Sequence, residues 1–192
     1  MTPPKSLSRK GTDYRRKKSS NESSRGNKFL IVTEGAKTEP NYFEKFREFL
    51  GLKSIDVKIV HPEGTDPKTL VHAAINLKSK NEKEAKRQQE RINGVVKYDE
   101  VWVVFDLEKT HDERRRLARE ARDQAKAQNI QVAYSDPSFE YWLLLHLNDT
   151  TAPLKDSDEA VKRLKKHWPE YEKNKEFSSE FIEIKLHLIQ SP

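Results

Sequence analysis

A chain of 192 residues with no cysteine and a net charge of +6 has the length of one domain with additions. The missing cysteine excludes disulfides and thiolate zinc sites and fits a reducing cytoplasm. No run reaches the ~20 apolar residues of a membrane span, so no membrane partner is expected. The mean hydropathy of −0.97 reflects clustering, with short apolar runs set between long charged stretches.

Residues 1–27 hold eight basic and two acidic side chains, which accounts for the whole net charge; the remainder is balanced. Pro3-Pro4, Ser19-Ser20 and Ser23-Ser24, with almost no apolar neighbours, predict a disordered arm before a folded domain over 28–192. The arm lacks the apolar core of a signal peptide. It reads either as a solubilising segment or as a nucleic-acid arm acting through counterion release.

The first strand is predicted over Phe29–Glu34, an apolar run without alternation, as in a parallel strand buried on both faces. Gly35 to Glu39 form a loop, and Pro40 suits the first turn of a helix that carries Tyr42, Phe43, Phe46, Phe49 and Leu50 and ends at Gly51. Val57–Val60 is the second strand. Asp66 is an N-cap before Pro67, and Leu70, Val71, Ala74 and Leu77 line the helix that follows. Lys78 to Arg91 is a charged, solvated extension of helix or loop.

Glu100–Phe105 is the third strand, and His111–Gln128 the next helix, with Leu117, Ala121 and Ala125 on its inner face and Asn129 as its C-cap. Ile130–Tyr134 is the fourth strand. Ser135 to Ser138 turn into Phe139–Leu147, apolar enough to be a buried helix, with Trp102 and Trp142 read as core. A last helix over Ser157–Trp168 stops at Pro169. Alternating strands and helices give an α/β fold, a parallel sheet with right-handed crossovers.

Two of the strands end in carboxylates: Glu34 after the first, Asp106 and Glu108 after the third. In an open parallel sheet ligands sit outside the carboxyl ends of the strands. Side chains two apart in extended chain point the same way, so Asp106 and Glu108 can reach one cation, and three facing carboxylates repel unless one joins them. Hard oxygens of this kind suit Mg²⁺ or Mn²⁺. Each residue alone has a plainer reading, as a helix cap or a solvated rim residue. Lys37 either meets a phosphate or is a solvated loop lysine. Glu140, charged within an apolar helix, needs a partner or a cation. His146 on the same helix is more often a hydrogen-bonded core residue than a catalyst.

Glu34-Gly35-Ala36-Lys37-Thr38-Glu39-Pro40-Asn41-Tyr42-Phe43 resembles the opening motif of RloB-like proteins. Val101 to Asp106 is similar to their acidic strand. Ser135-Asp136-Pro137-Ser138-Phe139-Glu140-Tyr141-Trp142-Leu143-Leu144-Leu145-His146 resembles their Ser-Asn-Pro-x-Phe-Glu-x-Trp-Leu-Leu-Leu-His segment. The acidic pattern also resembles the Toprim domain. The resemblance spans residues 28 to 175 and implies a Toprim-like fold. It further implies a Mg²⁺- or Mn²⁺-dependent nuclease acting on DNA or RNA, tRNA included, encoded beside an ABC-type ATPase in bacterial antiphage abortive-infection systems.

By that resemblance Glu34 is the Toprim glutamate and general acid or base, and Asp106 with Glu108 is the metal pair. Glu39 is a second acidic position, and Glu140 and His146 belong to the third motif. Three departures accompany it. Glu108 stands where the family has Asp, Asp136 stands where it has Asn, and the chain stops at Pro192 without a further Asn-Pro-x-Thr type motif, so a truncated or diverged copy is expected. The rival reading is a catalytically weak or inactive module that binds nucleic acid or docks the ATPase.

Overall fold

The computed structural model describes residues 27–53, 57–88, 97–108, 112–173, 176–178 and 181. The basic arm expected over 1–27 lies, apart from Asn27, outside these residues.

The elements in chain order are β1 (Phe29–Thr33), α1 (Thr38–Phe49), β2 (Val57–Val60), α2 (Pro67–Gln88), β3 (Glu100–Asp106), α3 (Asp112–Ala127), β4 (Gln131–Ser135), α4 (Phe139–Leu147) and α5 (Ser157–His167). The four strands form one sheet in the order β2-β1-β3-β4. Every pairing is parallel, with Val32 opposite Val60 and Val103, and Asp106 opposite Ser135. The central strands β1 and β3 are the two continuous apolar runs. The edge strand β4 buries none of its five residues fully, as expected where one side has no neighbour.

The chain winds outward from β1 to β2, then crosses back to place β3 on the other side of β1. The reversal falls between β1 and β3, and such a switch point opens a crevice at the carboxyl ends of the strands. Glu34 and Asp106 leave the sheet on either side of it.

One face of the sheet is covered by α2 and α3. Leu30, Val32, Val101, Val103 and Phe105 pack there against Leu70, Val71, Ala74, Ala118, Ala121 and Ala125. The inner stripe of α3 is thus alanine, with Ala118 buried and Leu117 only half-buried, one residue away from the expected stripe. Small side chains let this helix lie close to the sheet. Asn129 closes α3 at φ +51°; its amide donates to Lys126 O, and the Ile130 amide donates to Ala125 O, the pattern of a Schellman cap. Asp66 caps α2 as expected, accepting from the Thr69 amide at 3.0 Å. The charged part of α2 is helix to Gln88 and only partly solvated. Ala85 is buried, Asn81 accepts from the Tyr98 amide, and Lys78 donates to the carbonyls ending α3.

The other face carries α1 and α4, with Tyr42, Phe139, Leu143, Leu144, Leu164, Tyr171, Phe177 and Phe181 in one cluster. The expectation that α4 is wholly buried needs correction. Trp142 is 43% and Leu145 37% exposed, because no element among those described covers that side. Trp102 is not core either: it is half-buried, and its indole N–H donates to Glu100.

Candidate functional site

At the switch point the backbone fixes the acids first. The Glu34 amide extends the β1–β3 ladder by donating to Val104 O at 3.0 Å. Its carboxylate then turns back across the gap, and Oε2 accepts from the Asp106 amide at 3.0 Å. The buried Thr33 hydroxyl donates to Gly35 O, which shapes the loop into α1. Glu39 sits in the first turn of α1, where the helix dipole favours an anion, and accepts from the Gly35 amide at 3.0 Å. Across the site, Glu140 occupies the first turn of α4 and is held by the hydroxyls of Ser138 at 2.7 Å and Tyr171 at 2.9 Å. Glu39 and Glu140 are 6% and 4% exposed.

The four carboxyls act on one another. Burial, then the charges of Glu39, Glu34 and Glu140, push Asp106 up to about 8, against a smaller lowering by the Phe139 amide at the start of α4. Burial also raises Glu39, offset in part by backbone amides and reinforced by Glu34 and Glu140. Glu34 is raised chiefly by burial, with the Asp106 amide and Arg114 opposing it and Glu108 adding to it. Burial, more than mutual repulsion, is what disfavours their charged forms.

Two cations among the described residues reach the site: Lys173, 3.9 Å from Glu140, and Arg114. Its Nη2 donates to Glu34 Oε2 at 2.5 Å, its Nε to Asp106 O at 2.8 Å and its Nη1 to Thr65 O at 3.4 Å. It thus joins the ends of β1 and β3 to the loop before α2. In the sequence Arg114 is one of five arginines lying outside the apolar stripe of α3. Its position in the first turn, where a cation opposes the helix dipole, was the one available signal. Tyr171 and Ser138 were also missed, since nothing in their local pattern marks them.

The structure brings Glu34, Glu39, Asp106 and Glu140 together, but not Glu108 with Asp106. Glu108 has a left-handed backbone at φ +46° and is exposed; its amide donates to Pro137 O. The pleat that was to align the pair ends at Asp106, and Glu108 touches the site only through its charge on Glu34. Lys37 is exposed in the loop before α1. His146 is a core residue: it is buried, and its Nε2 lies 3.0 Å from the Tyr42 hydroxyl. Asp136 meets Arg115 at 3.2 Å, while its Oδ1 is buried with no partner among the described residues.

Helices on both faces of a parallel sheet, with acids gathered at its switch point, define a doubly wound α/β protein with an anionic site. Residues 29–188 match the RloB-like protein family, and the chain belongs to it. No curated protein and no solved structure matches the chain.

A divalent cation is what this donor set suits. Hard carboxylate oxygens match Mg²⁺ or Mn²⁺, and a cation there would offset the charges that Glu39, Glu34 and Glu140 exert on Asp106. Among the described residues, no three acidic or histidine side chains stand arranged to hold an ion as they are, because Glu34 and Glu39 are tied back to backbone amides. Binding thus requires these side chains to turn inward.

Gly35 tests the packing of Glu39. A Cβ at Gly35 would lie 1.8 Å from Glu39 Oε2, so Gly35→Ala displaces that carboxylate and breaks its bond to the amide. The expected cost is about 1–3 kcal/mol in urea denaturation. The Asp106 carboxyl should also titrate below about 8 by NMR, because Glu39 is its strongest charged neighbour. An unchanged Asp106 titration would show that Glu39 does not act on it.

Proposed function

We propose that the chain is a Mg²⁺- or Mn²⁺-dependent nuclease of the Toprim type, acting on DNA or RNA, tRNA included. The observation that carries this reading is the convergence of Glu34, Glu39, Asp106 and Glu140 at the switch point. Asp106, with Glu34 and Glu39 beside it, would hold the cation; Glu108, turned away at φ +46°, does not reach it as it stands. The cation supplies Lewis-acid polarisation of a phosphoryl oxygen and stabilises the leaving oxygen. Glu34 moves the proton as general acid or base, and its raised carboxyl is suited to that task. Glu140, fixed by Ser138 and Tyr171, orients the site across from α1. Lys37, exposed in the loop before α1, would meet a phosphate of the strand. The basic arm of residues 1–27 adds salt-dependent affinity for the same polyanion.

The family resemblance supplies the partner, an ABC-type ATPase that restrains or triggers cleavage. The exposed Trp142 and Leu145 of α4 are the docking candidates on this chain, since apolar side chains grouped on one helix face suit a protein interface. Among the described residues no helix is long and apolar enough to cross a membrane.

The second reading is a module that binds nucleic acid or the ATPase without cutting. The turn of Glu108 away from Asp106 and the closure of Arg114 onto Glu34 favour it. The experiment is direct: the full chain, alone and with the ATPase, is incubated with tRNA, single-stranded DNA and plasmid in Mg²⁺, Mn²⁺ or EDTA. Cleavage that is lost in EDTA and in Asp106→Asn supports the nuclease. Cleavage by neither preparation, or equal cleavage by Asp106→Asn, refutes it.

A further inference from the structure

We propose that the arginine row of α3, anchored by Tyr134 of β4, is the track along which a single-stranded polynucleotide enters the acidic site. The inference rests on the nuclease reading for its substrate class and adds the surface that would hold that substrate. A groove of ≈ 410 Å³ opens between α3 and β4, lined by Arg115, Arg119, Arg122 and Tyr134, with Asp112 its one carboxylate. Beyond Arg122 a second opening of ≈ 480 Å³ continues past Lys126, with Asp123 as its carboxylate.

The five arginines of α3 divide into two sets among the described residues, three that are ion-paired (Arg114 with Glu34, Arg115 with Asp136, Arg116) and two, Arg119 and Arg122, that are not. Arg116 is neutralised by Glu113 and Glu120 and belongs to an ordinary solvated face. Arg119 and Arg122 are exposed and make no ion pair among the described residues. They follow Arg115 at helical intervals of roughly 4.5–6 Å along the axis, which presents a row of donors rather than one anion pocket.

Tyr134 fixes the orientation of this row. It is 45% exposed, stacks with Phe105 at 6.3 Å and 23°, and carries the Arg122 guanidinium 5.4 Å from its ring centre. A guanidinium held over a ring in this way is a group that stacks on an unpaired base and forks to phosphate. An acidic peptide needs no such stacking, so a nucleic-acid strand fits better. The row leads to the site. Leu107, in the groove wall, directly follows Asp106, and Arg115 holds Asp136 in the turn opposite.

The test is fluorescence anisotropy of a short labelled single-stranded oligonucleotide with the full chain in EDTA. The basic arm is present in every variant, so differences report α3. Arg119→Gln/Arg122→Gln is expected to weaken binding about tenfold and to flatten the slope of log affinity against log salt by about 1.4, from ~0.7 per phosphate contact on a single strand. Tyr134→Ala is expected to cost about two- to fivefold by releasing Arg122, with Tyr134→Phe close to wild type. Arg116→Gln should bind as wild type. A wild-type slope in the double variant, or displacement of the oligonucleotide by polyglutamate at equal charge concentration, overturns the proposal, the latter in favour of an acidic protein partner. The two readings fail separately. Binding that depends on Arg119 and Arg122 without Asp106-dependent cleavage refutes the nuclease and supports the track. Asp106-dependent cleavage that is unaltered in the double variant does the reverse.

Discussion

Asp106→Asn is expected to abolish metal-dependent cleavage and, in the metal-free protein, to make the fold more stable than wild type at alkaline pH. The second effect follows from where the carboxyl sits. Burial and the charges of Glu39, Glu34 and Glu140 push Asp106 up to about 8 from an ordinary 3.8. Between those two values the folded chain holds a proton that the unfolded chain has released. Stability therefore falls as pH rises, by up to about 1.4 kcal/mol per pH unit for one proton. The favourable contribution is complete below the unfolded value and is lost as pH passes through the folded one. Glu34 and Glu39, also raised, act in the same direction. An asparagine keeps an oxygen for the Phe139 amide and carries no charge. In EDTA, urea midpoints measured from about pH 5 to about pH 9 should show the variant gaining on wild type. Parallel curves would mean that Asp106 is ionised throughout and the site is less crowded than its geometry implies. Mg²⁺ should reverse the order by stabilising wild type and leaving the variant unmoved, because a cation replaces the proton.

Arg114→Ala is expected to cost about 3 kcal/mol, near the low end for breaking a mostly buried ion pair. Both side chains are 14% exposed, so solvent screens the pair only in part. Its loss leaves Glu34 facing Asp106 and Glu108 without a counter-charge, and frees the carbonyls of Asp106 and Thr65. A double-mutant cycle separates the causes. In a Glu34→Gln background the same substitution should cost markedly less. An equal cost would place the effect in the two carbonyl bonds rather than in the ion pair.

Glu34 and Asp106 were legible because each ends an apolar run, and a run buried on both faces must lie in the middle of a parallel sheet. Glu39 was legible only through the motif that resembles the family, and Glu140 also as a charge set within an apolar helix. The error at Glu108 came from extending strand geometry two residues past Asp106, where the backbone has already turned left-handed. Trp102 and Trp142 were misread because hydrophobicity alone does not say which side of an element another element will cover.

The order of strands and helices, the two central strands, the caps at Asp66 and Asn129, and the acids at the strand ends were all readable from local pattern. These depend on neighbours within a few positions, where hydrophobic period and cap chemistry act. Assembly of the sheet and helices was needed to show that Arg114 closes on Glu34, that Tyr171 holds Glu140, and that Glu39 rather than Glu108 presses on Asp106. Those contacts join residues 31 to 80 positions apart or lie across different elements. They are set by where the β1–β3 switch point brings the chain, which no local pattern encodes.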